Sequence, residues 1–475
     1  MADESLLWFD YETFGLDPAR DRPAQFACLR TDLNLNPTGD ELTIFCQPPR
    51  DYIPSPESCL ITGISPSYAL REGIPESDFI GRILEKFSVP GTCGVGYNSI
   101  RFDDEVTRNT LYRNLYDPFA REWRNGNSRW DLLGVMRFAR ALRPEGLVWP
   151  NDSDGKPTLR LDHLTIANNI PHQNAHDAMA DVKATLALAR LFKASQPRLF
   201  EYLWSLRAKR SVLSLVNPGS MTPFVMAAPR FSAQSHHLAI VVVLGRLSSN
   251  PNALIVYDLR ESPEPWIAGG LKADEGTPSP FGLLHINRAP PVAPLSSLRA
   301  EDQRRLNLDV AHHQENLSRL TELPFRKATE YLALHDRMPL DSEPDPDLGI
   351  YSGFASDEDR YRLDRFRDPA SSDFLETPEV FDSARYRELC FRYKARNFPE
   401  RLSGEEQAAW NVFCREKWFQ KSHGGSLSVT EFEESIAALR MREDLDARKN
   451  ALLNDIEGYV RALVDPLNPR VQVKG

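Results

Sequence analysis

The stretch LLWFDYETFG, Leu6 to Gly15, decides how this chain is read. Leu6, Leu7, Trp8 and Phe9 form an apolar run typical of a strand entering a core, yet Asp10 and Glu12 follow two residues apart. Side chains alternate across a strand, so the two carboxylates share one face. Like charges held a few ångströms apart in a half-dry place repel each other and lose hydration. A bound cation relieves both costs, and hard oxygen donors without a cysteine suit Mg²⁺ or Mn²⁺. The competing reading is a strand end that reaches water and carries two ordinary surface acids.

Around this stretch lies a chain of 475 residues, too long for one ordinary core, so two or three domains are expected. Its 41% hydrophobic and 26% charged residues are those of a soluble globular protein. No run of about 18 apolar residues suggests a membrane span. The start, MADESLLWFD, lacks the basic and small-residue pattern of a signal peptide, so a cytoplasmic location is expected. Cys28, Cys46, Cys59, Cys93, Cys390 and Cys414 form no CxxC pair and read as buried free thiols. The net charge of −10 argues against a broad nucleic-acid footprint, although an acidic body can hold a local basic groove.

Residues 1–196 alternate strand and helix signals. SLLWFD, AQFACLRTD, LTIFCQ and CGVGYN read as strands. SDFIGRILEKF, FDDEVTRNTLYR, RWDLLGVMRFARAL, RLDHLTIAN and HDAMADVKATLALARLFKAS read as helices, the last with Val182, Leu186, Ala189 and Phe192 on one stripe. This predicts an α/β domain ending near SQPRLF, Ser195 to Phe200. Residues 197–345 read as a small β-rich domain with a helical insert near 301–323. DRMPLDSEPDPDLG, residues 336–349, reads as an acidic, proline-rich linker. Residues 346–475 read as all-helical.

Two further acidic stretches bear on the first. In GYNSIRFDDEVTRN, Asp103, Asp104 and Glu105 open a helix, where acids commonly offset the helix dipole. In NAHDAMADVKA, His176 precedes a helix that Asp177 caps, and Asp181 lies one turn in. Each stretch alone fits a cap and an exposed acid as well as a site.

Taken in order, Asp-x-Glu on an early strand, Asn-x₄-Asp at a strand–helix junction and His-x₄-Asp entering a late helix resemble the DEDDh family of 3′→5′ exonucleases. DYETFG, DRPAQFA, LITGISP, SRWDLL, ALRPEG and the distant SGFASDEDR and YKARNFP extend the resemblance to the bacterial exodeoxyribonuclease I family over nearly the whole chain. The resemblance implies a ribonuclease-H-like exonuclease domain, an SH3-like β domain and a helical C-terminal region forming a C-shaped clamp. It implies Asp10, Glu12, Asp103 and Asp181 as ligands of two Mg²⁺ ions, with Mn²⁺ a substitute, and His176 as general base. Two such ions, ~3.5–4 Å apart, activate the water and steady the leaving oxygen, and an imidazole suits the water's proton. Asp104 and Asp177 are left out as helix caps.

The activity so implied is Mg²⁺-dependent 3′→5′ degradation of single-stranded DNA to 5′-mononucleotides, in DNA repair and recombination, by a cytoplasmic, nucleoid-associated monomer. Glu12, Phe14, Arg101, Trp123 and Arg160 are the candidate substrate contacts, Phe14 being equally readable as a core residue. Single-strand binding combines cations with aromatic platforms. Residues 101–143 carry nine arginines against six acids, interleaved with Tyr112, Tyr116, Trp123 and Trp130. Arg385, Arg387, Arg392, Lys394 and Arg396 form a second cluster, and Arg207, Lys209 and Arg210 a third. Each reads either as a DNA contact or as a solvated helix face. The resemblance also implies that single-strand-binding protein docks its C-terminal tail, with Arg143 and Tyr202 the candidate contacts. An RNA 3′-trimming enzyme and a non-catalytic DNA-binding scaffold are the rival readings. The two downstream domains argue against the first, and the presence of all five catalytic positions argues against the second.

Overall fold

The computed structural model describes residues 4–172, 176–267, 279–320, 345–376, 381 and 383–468. The first unit is a five-stranded sheet of β1 (Ser5–Thr13), β2 (Pro23–Thr31), β3 (Pro37–Phe45), β4 (Thr92–Gly96) and β5 (Ser128–Asp131), in the order β3-β2-β1-β4-β5. β1, β2 and β3 pair antiparallel, while β4 and β5 run parallel to β1. Its helices are α1 (Pro56–Thr62), α2 (Pro66–Glu72), α3 (Glu76–Ser88), α4 (Asp103–Arg113), α5 (Leu132–Leu142), α6 (Leu161–Ala167) and α7 (Ala178–Ser195).

β1 sorts its side chains as alternation requires. Leu7, Phe9 and Tyr11 enter a core with Phe26, Phe79 and Phe87. Leu6 and Trp8 enter the opposite core with Val182, Leu186 and Ala189 of α7. Asp10 and Glu12 continue the α7 side. β4 pairs with β1 only from Ser5 to Trp8, so the end of β1 that carries the acids lacks a β4 neighbour. Gly96 closes β4 where a Cβ would meet the Cβ of Ser99 at 2.6 Å and the Phe9 carbonyl at 3.1 Å.

Helices α1 and α2 are additions to the expected elements. Each starts with a serine cap followed by proline, Ser55-Pro56 and Ser65-Pro66, a helix-start signal that short segments easily hide. β5 lies where RWDLLG reads as the start of a helix. The helix begins one residue after it, because the Asp131 carboxylate caps α5 by accepting from the Leu133 amide.

After α8 (Pro197–Ser205) and α9 (Lys209–Leu215) comes a second sheet, β6 (Phe224–Ala227), β7 (Leu238–Arg246), β8 (Ala253–Asp258), β9 (Phe281–His285) and β10 (Val292–Pro294), in the order β10-β6-β7-β8-β9. Every neighbouring pair is antiparallel. α10 (Glu264–Ile267), α11 (Ala300–Arg305) and α12 (Val310–Leu320) accompany it; the remainder of the expected helical insert lies outside the described residues. Both sheets share one continuous apolar core.

The last unit is helical: α13 (Asp357–Arg367), α14 (Ala384–Asn397), α15 (Gly404–Gln420), α16 (Val429–Arg440) and α17 (Ala447–Val464). The part of the expected linker that is described is not a linker. Asp345 caps a 3₁₀ turn, Pro346–Tyr351, and Asp347 lies within it; they pair with Arg392 and Arg396. Asp51 of the first unit, buried, receives Arg396 at 2.8 Å and Lys417 at 2.7 Å. Lys394 pairs with Glu406, and Arg385 donates to the Gly349 carbonyl. Arg396 of α14 therefore fastens the helical unit to the first one, and Arg385, Arg392 and Lys394 are engaged by neighbours in the last unit, so these four cations do not form the solvated helix face that is one of their two readings. No described helix is long and apolar enough to cross a membrane.

Candidate active site

The acids converge at the open end of β1. With no β4 partner there, the Tyr11 amide donates to the Asp103 carboxylate at 3.1 Å, which brings the N-terminus of α4 against β1. The approach to α4 is held by Asp131, whose carboxylate accepts from the Asn98 amide at 2.9 Å and the Ile100 amide at 3.3 Å. Asn98 takes the left-handed conformation this turn requires, with φ 65°. α7 carries Asp181 to the same place. Its N-terminus is fixed by Gln25, opposite Glu12 on β2: the Gln25 amide donates to Asp177, and its carbonyl oxygen accepts from the Ala178 amide. Asp177 itself caps α7 through the Ala180 amide, as expected.

One ligand atom from each of Glu12, His176 and Asp181 lies within 4.8 Å of the others. Burial, then the charges of Asp103, Glu12 and Asp181, push the Asp10 carboxyl well above its ordinary range. Burial and the neighbouring acids push Glu12 up to about 8. Burial raises Asp103 against the pull of the Tyr11 amide, and raises Asp181 against His172 and His176. The charges that act most strongly on Asp10 and Glu12 are those of the neighbouring acids. A divalent cation fits this donor set of carboxylates and one imidazole, and all six thiols are buried elsewhere.

Asp104 corrects its reading as a cap. It is buried, facing away from this cluster, and bonds Arg121 at 2.6 Å and Arg129 at 3.0 Å. Those two cations hold its carboxyl down despite burial. Phe14 is also corrected. It is fully buried among Ala24, Tyr52 and Ile53 and packs with the C-terminal helices, leaving no face for a base. Its sequence signal is ambiguous because an aromatic one residue past a strand's working end serves either purpose.

His172 joins the site without having been expected there. Its side chain is 3% exposed, its Nε2 lies 2.5 Å from Asp181, and its Nδ1 lies 3.1 Å from the Thr165 hydroxyl. The one clue in the sequence is a second histidine, four residues before His176 in the same loop.

His172, His176 and Asp181 line a cleft of about 700 Å³ between the first unit and the β domain. Arg160 lines it, paired with Asp162 at 3.0 Å. Arg101 and Trp123 are exposed outside the cleft lining, Trp123 at 63% with Arg124 over its ring. Arg207 is spent on Glu4 and on the Trp204 ring, and Lys209 on Asn252. Arg143 and Tyr202 both reach across the seam. Arg143 donates to the Ser297 carbonyl at 2.9 Å and pairs with Asp302, and the Tyr202 hydroxyl donates to the Val292 carbonyl.

Family models divide the chain in the same order: Exonuclease over residues 7–189, Exonuclease I SH3-like domain over 207–333 and Exonuclease I C-terminal domain over 344–463. Exodeoxyribonuclease I of Escherichia coli (strain K12) is 40% identical over 472 residues, which span 97% of this chain and 98% of that one. The solved Exonuclease I from Methylocaldum szegediense superimposes with a TM-score of 0.90 at 45% identity, covering 97% of this chain and all of that one. E. coli Exonuclease I in complex with a dA16 oligonucleotide gives 0.89 at 39%, with the same coverage. The E. coli enzyme has also been solved as a zinc-bound complex with single-stranded DNA, and a further similar structure is SSB/Exonuclease I in complex with an inhibitor. This chain belongs to the exodeoxyribonuclease I family of 3′→5′ exonucleases.

Proposed function

We propose that the cleft hydrolyses the 3′-terminal phosphodiester of single-stranded DNA and releases 5′-mononucleotides. The observation that carries this reading is the meeting of Asp10, Glu12, Asp103, Asp181 and His176 at one end of β1, where the acids raise one another's proton affinity.

Asp10, Glu12, Asp103 and Asp181 would hold two Mg²⁺ ions, with Mn²⁺ as a substitute. When bound, the metals lower the pKa of the attacking water and stabilise the leaving 3′-oxygen. His176, close to both Glu12 and Asp181, takes the water's proton. It sits at φ 71° on the loop that enters α7, with a ring nitrogen within 4.8 Å of a carboxylate oxygen of Glu12 and of Asp181. The Tyr11 amide holds one oxygen of Asp103, and His172 holds one oxygen of Asp181, so each carboxylate meets its cation in a fixed orientation.

The catalytic unit spans 1–196, the β domain 197–345 and the helical region 346–475, and the three close a clamp around the strand within a monomer. Arg101, Trp123 and Arg160 guide the strand outside the acid cluster, and the bacterial cytoplasm, with its nucleoid, is the setting. The acidic C-terminal tail of single-strand-binding protein docks at the Arg143–Tyr202 seam. There Arg143 pairs with Asp302, which Arg299 and Arg305 share, and its guanidinium is the cation offered to a terminal carboxylate.

The test is to incubate the protein and Mg²⁺ with end-labelled single-stranded DNA, duplex DNA and RNA of one sequence. Mononucleotides released from the 3′ end of single-stranded DNA alone are expected. Internal cuts, a preference for RNA, or an Asp10→Ala protein as active as its parent would overturn the reading.

A further inference from the structure

Asp103 stands at the first position of α4, and no side chain caps that helix. A cap normally fixes the first turn locally, so the placing of this one falls to residues outside it. They come from β5. Side chains alternate along a strand, so Arg129 and Asp131 share one face of β5 while Trp130 enters the core on the other. Asp131 accepts from the amides of Asn98 and Ile100 in the turn that leads into α4. Arg129 reaches behind the helix and bonds the Asp104 carboxylate at 3.0 Å. Asp104 follows Asp103 directly, so the two side chains leave the helix ~100° apart. A grip on Asp104 therefore sets the direction in which Asp103 points. Arg121 takes the other oxygen of Asp104 at 2.6 Å and lies 4.3 Å from the centre of the Phe87 ring. The Arg129 and Asp104 side chains are only 5% and 1% exposed. In such a dry place the pairing is strong and a lost partner is costly.

Arg129 is itself held from the two other units. Its Nη2 lies 3.1 Å from a Glu122 oxygen and donates to the Asn287 carbonyl of the β domain at 3.4 Å. Glu122 accepts from Arg108 at 2.6 and 2.8 Å. Arg108 pairs with Glu105, one turn before it on α4, and donates to the Tyr351 hydroxyl of the last unit at 3.2 Å. That hydroxyl donates to Glu105 at 2.6 Å. Asp104, Arg129, Glu122, Arg108 and Glu105 thus alternate in sign along one continuous brace. All three units close on the first turn of α4, on the side away from the acid cluster.

We infer that Arg129 is a positioning residue of the metal site, and that through it the setting of Asp103 depends on the seating of the β domain and the last unit, which rests on the reading that Asp103 holds a cation. Arg129 acts through Asp104 and takes no part in breaking the phosphodiester. Groups that orient a metal ligand without touching the metal govern how well the site binds it. Seating of the other two units on the first then gives the tighter cation site.

The full chain without DNA tests this by isothermal titration with Mg²⁺ and by thermal melting in the absence of metal. Arg129→Gln is expected to weaken Mg²⁺ binding about tenfold. Arg129→Lys keeps the charge and loses the fork of donors, and should recover part of that affinity. Tyr351→Phe removes one hydroxyl at the far end of the brace. It should weaken Mg²⁺ binding about threefold while melting close to the parent temperature. Arg30→Gln is the control: it breaks a buried grip on Asp40, Ser5 and Thr92 at the opposite end of β1, and should lower the melting temperature with Mg²⁺ affinity kept. Unmoved Mg²⁺ affinity in Arg129→Gln or in Tyr351→Phe, or a loss in Arg30→Gln equal to that in Arg129→Gln, overturns the inference. Should Arg129→Gln fail to fold, Tyr351→Phe set against Arg30→Gln decides alone. A parent that takes up no Mg²⁺ and leaves single-stranded DNA intact sinks the functional reading instead, so the two failures are distinguishable.

Discussion

His172 Nε2 lies 2.5 Å from Asp181 Oδ1, and the other ring nitrogen faces the hydroxyl of Thr165, which itself donates to the Asp162 carbonyl. A carboxylate of the acid cluster is thus tied, through one imidazole, to α6. The contact fixes which oxygen of Asp181 turns toward Glu12 and His176. Partners that orient a metal ligand in this way typically contribute 10–100-fold in metal affinity or activity.

His172→Ala is therefore expected to weaken Mg²⁺ binding by about 10–100-fold, read by isothermal titration as well as by turnover. His172→Gln, which can still donate to Asp181, should recover most of the binding. Equal losses in the two variants would mean that the ring serves packing alone.

His176→Ala should lower kcat by about 10²–10⁴-fold and leave Mg²⁺ affinity less affected than His172→Ala does. Single-turnover cleavage of end-labelled single-stranded DNA measures the first quantity. A variant with parental kcat would remove His176 from the proton-transfer role.

Glu12 carries a folded value near 8 against an ordinary 4.5, from burial and its acidic neighbours. Between those two values the folded, metal-free chain retains a proton that the unfolded chain has lost. Stability without metal therefore falls as pH rises through that window. Mg²⁺ binds the ionised carboxylates, so its effect on melting temperature should be larger at pH 8 than at pH 6. A gain independent of pH, measured by calorimetry with and without the metal, would contradict the arrangement of the acids.

Asp51 is buried between Arg396, Lys417 and Arg22, which hold its carboxyl far below the ordinary range in spite of burial. Asp51→Ala leaves these cations uncompensated at the junction of the first and last units. A cost of about 3–5 kcal/mol is expected in urea unfolding. A cost under about 1 kcal/mol would show that water reaches the cluster.

Phe14→Ala is expected to destabilise the chain by about 3–5 kcal/mol, with Phe14→Leu far milder. Loss of DNA affinity in both variants at unchanged stability would reverse its assignment to the core.

Alternation alone puts Asp10 and Glu12 on one face of a strand, and motif order adds Asp103, His176 and Asp181. Helical periodicity likewise locates α3, α4 and α7, because each repeats a local pattern that the chain expresses within a few residues. Other features are not legible in this way. The role of His172 depends on a loop folding back so that its ring meets a helical residue nine positions later. The division of arginines into fasteners and unpaired cations depends on partners hundreds of residues away: Arg396 meets Asp51, while Arg137 forms no ion pair among the described residues. Local chemistry follows from spacing along the chain, whereas burial and pairing of charge follow from which distant segments pack together. For this protein the sequence by itself determined which side chains are the candidates for the chemistry. Only the tertiary structure decided which of the charged and aromatic residues around them are committed to holding the domains together.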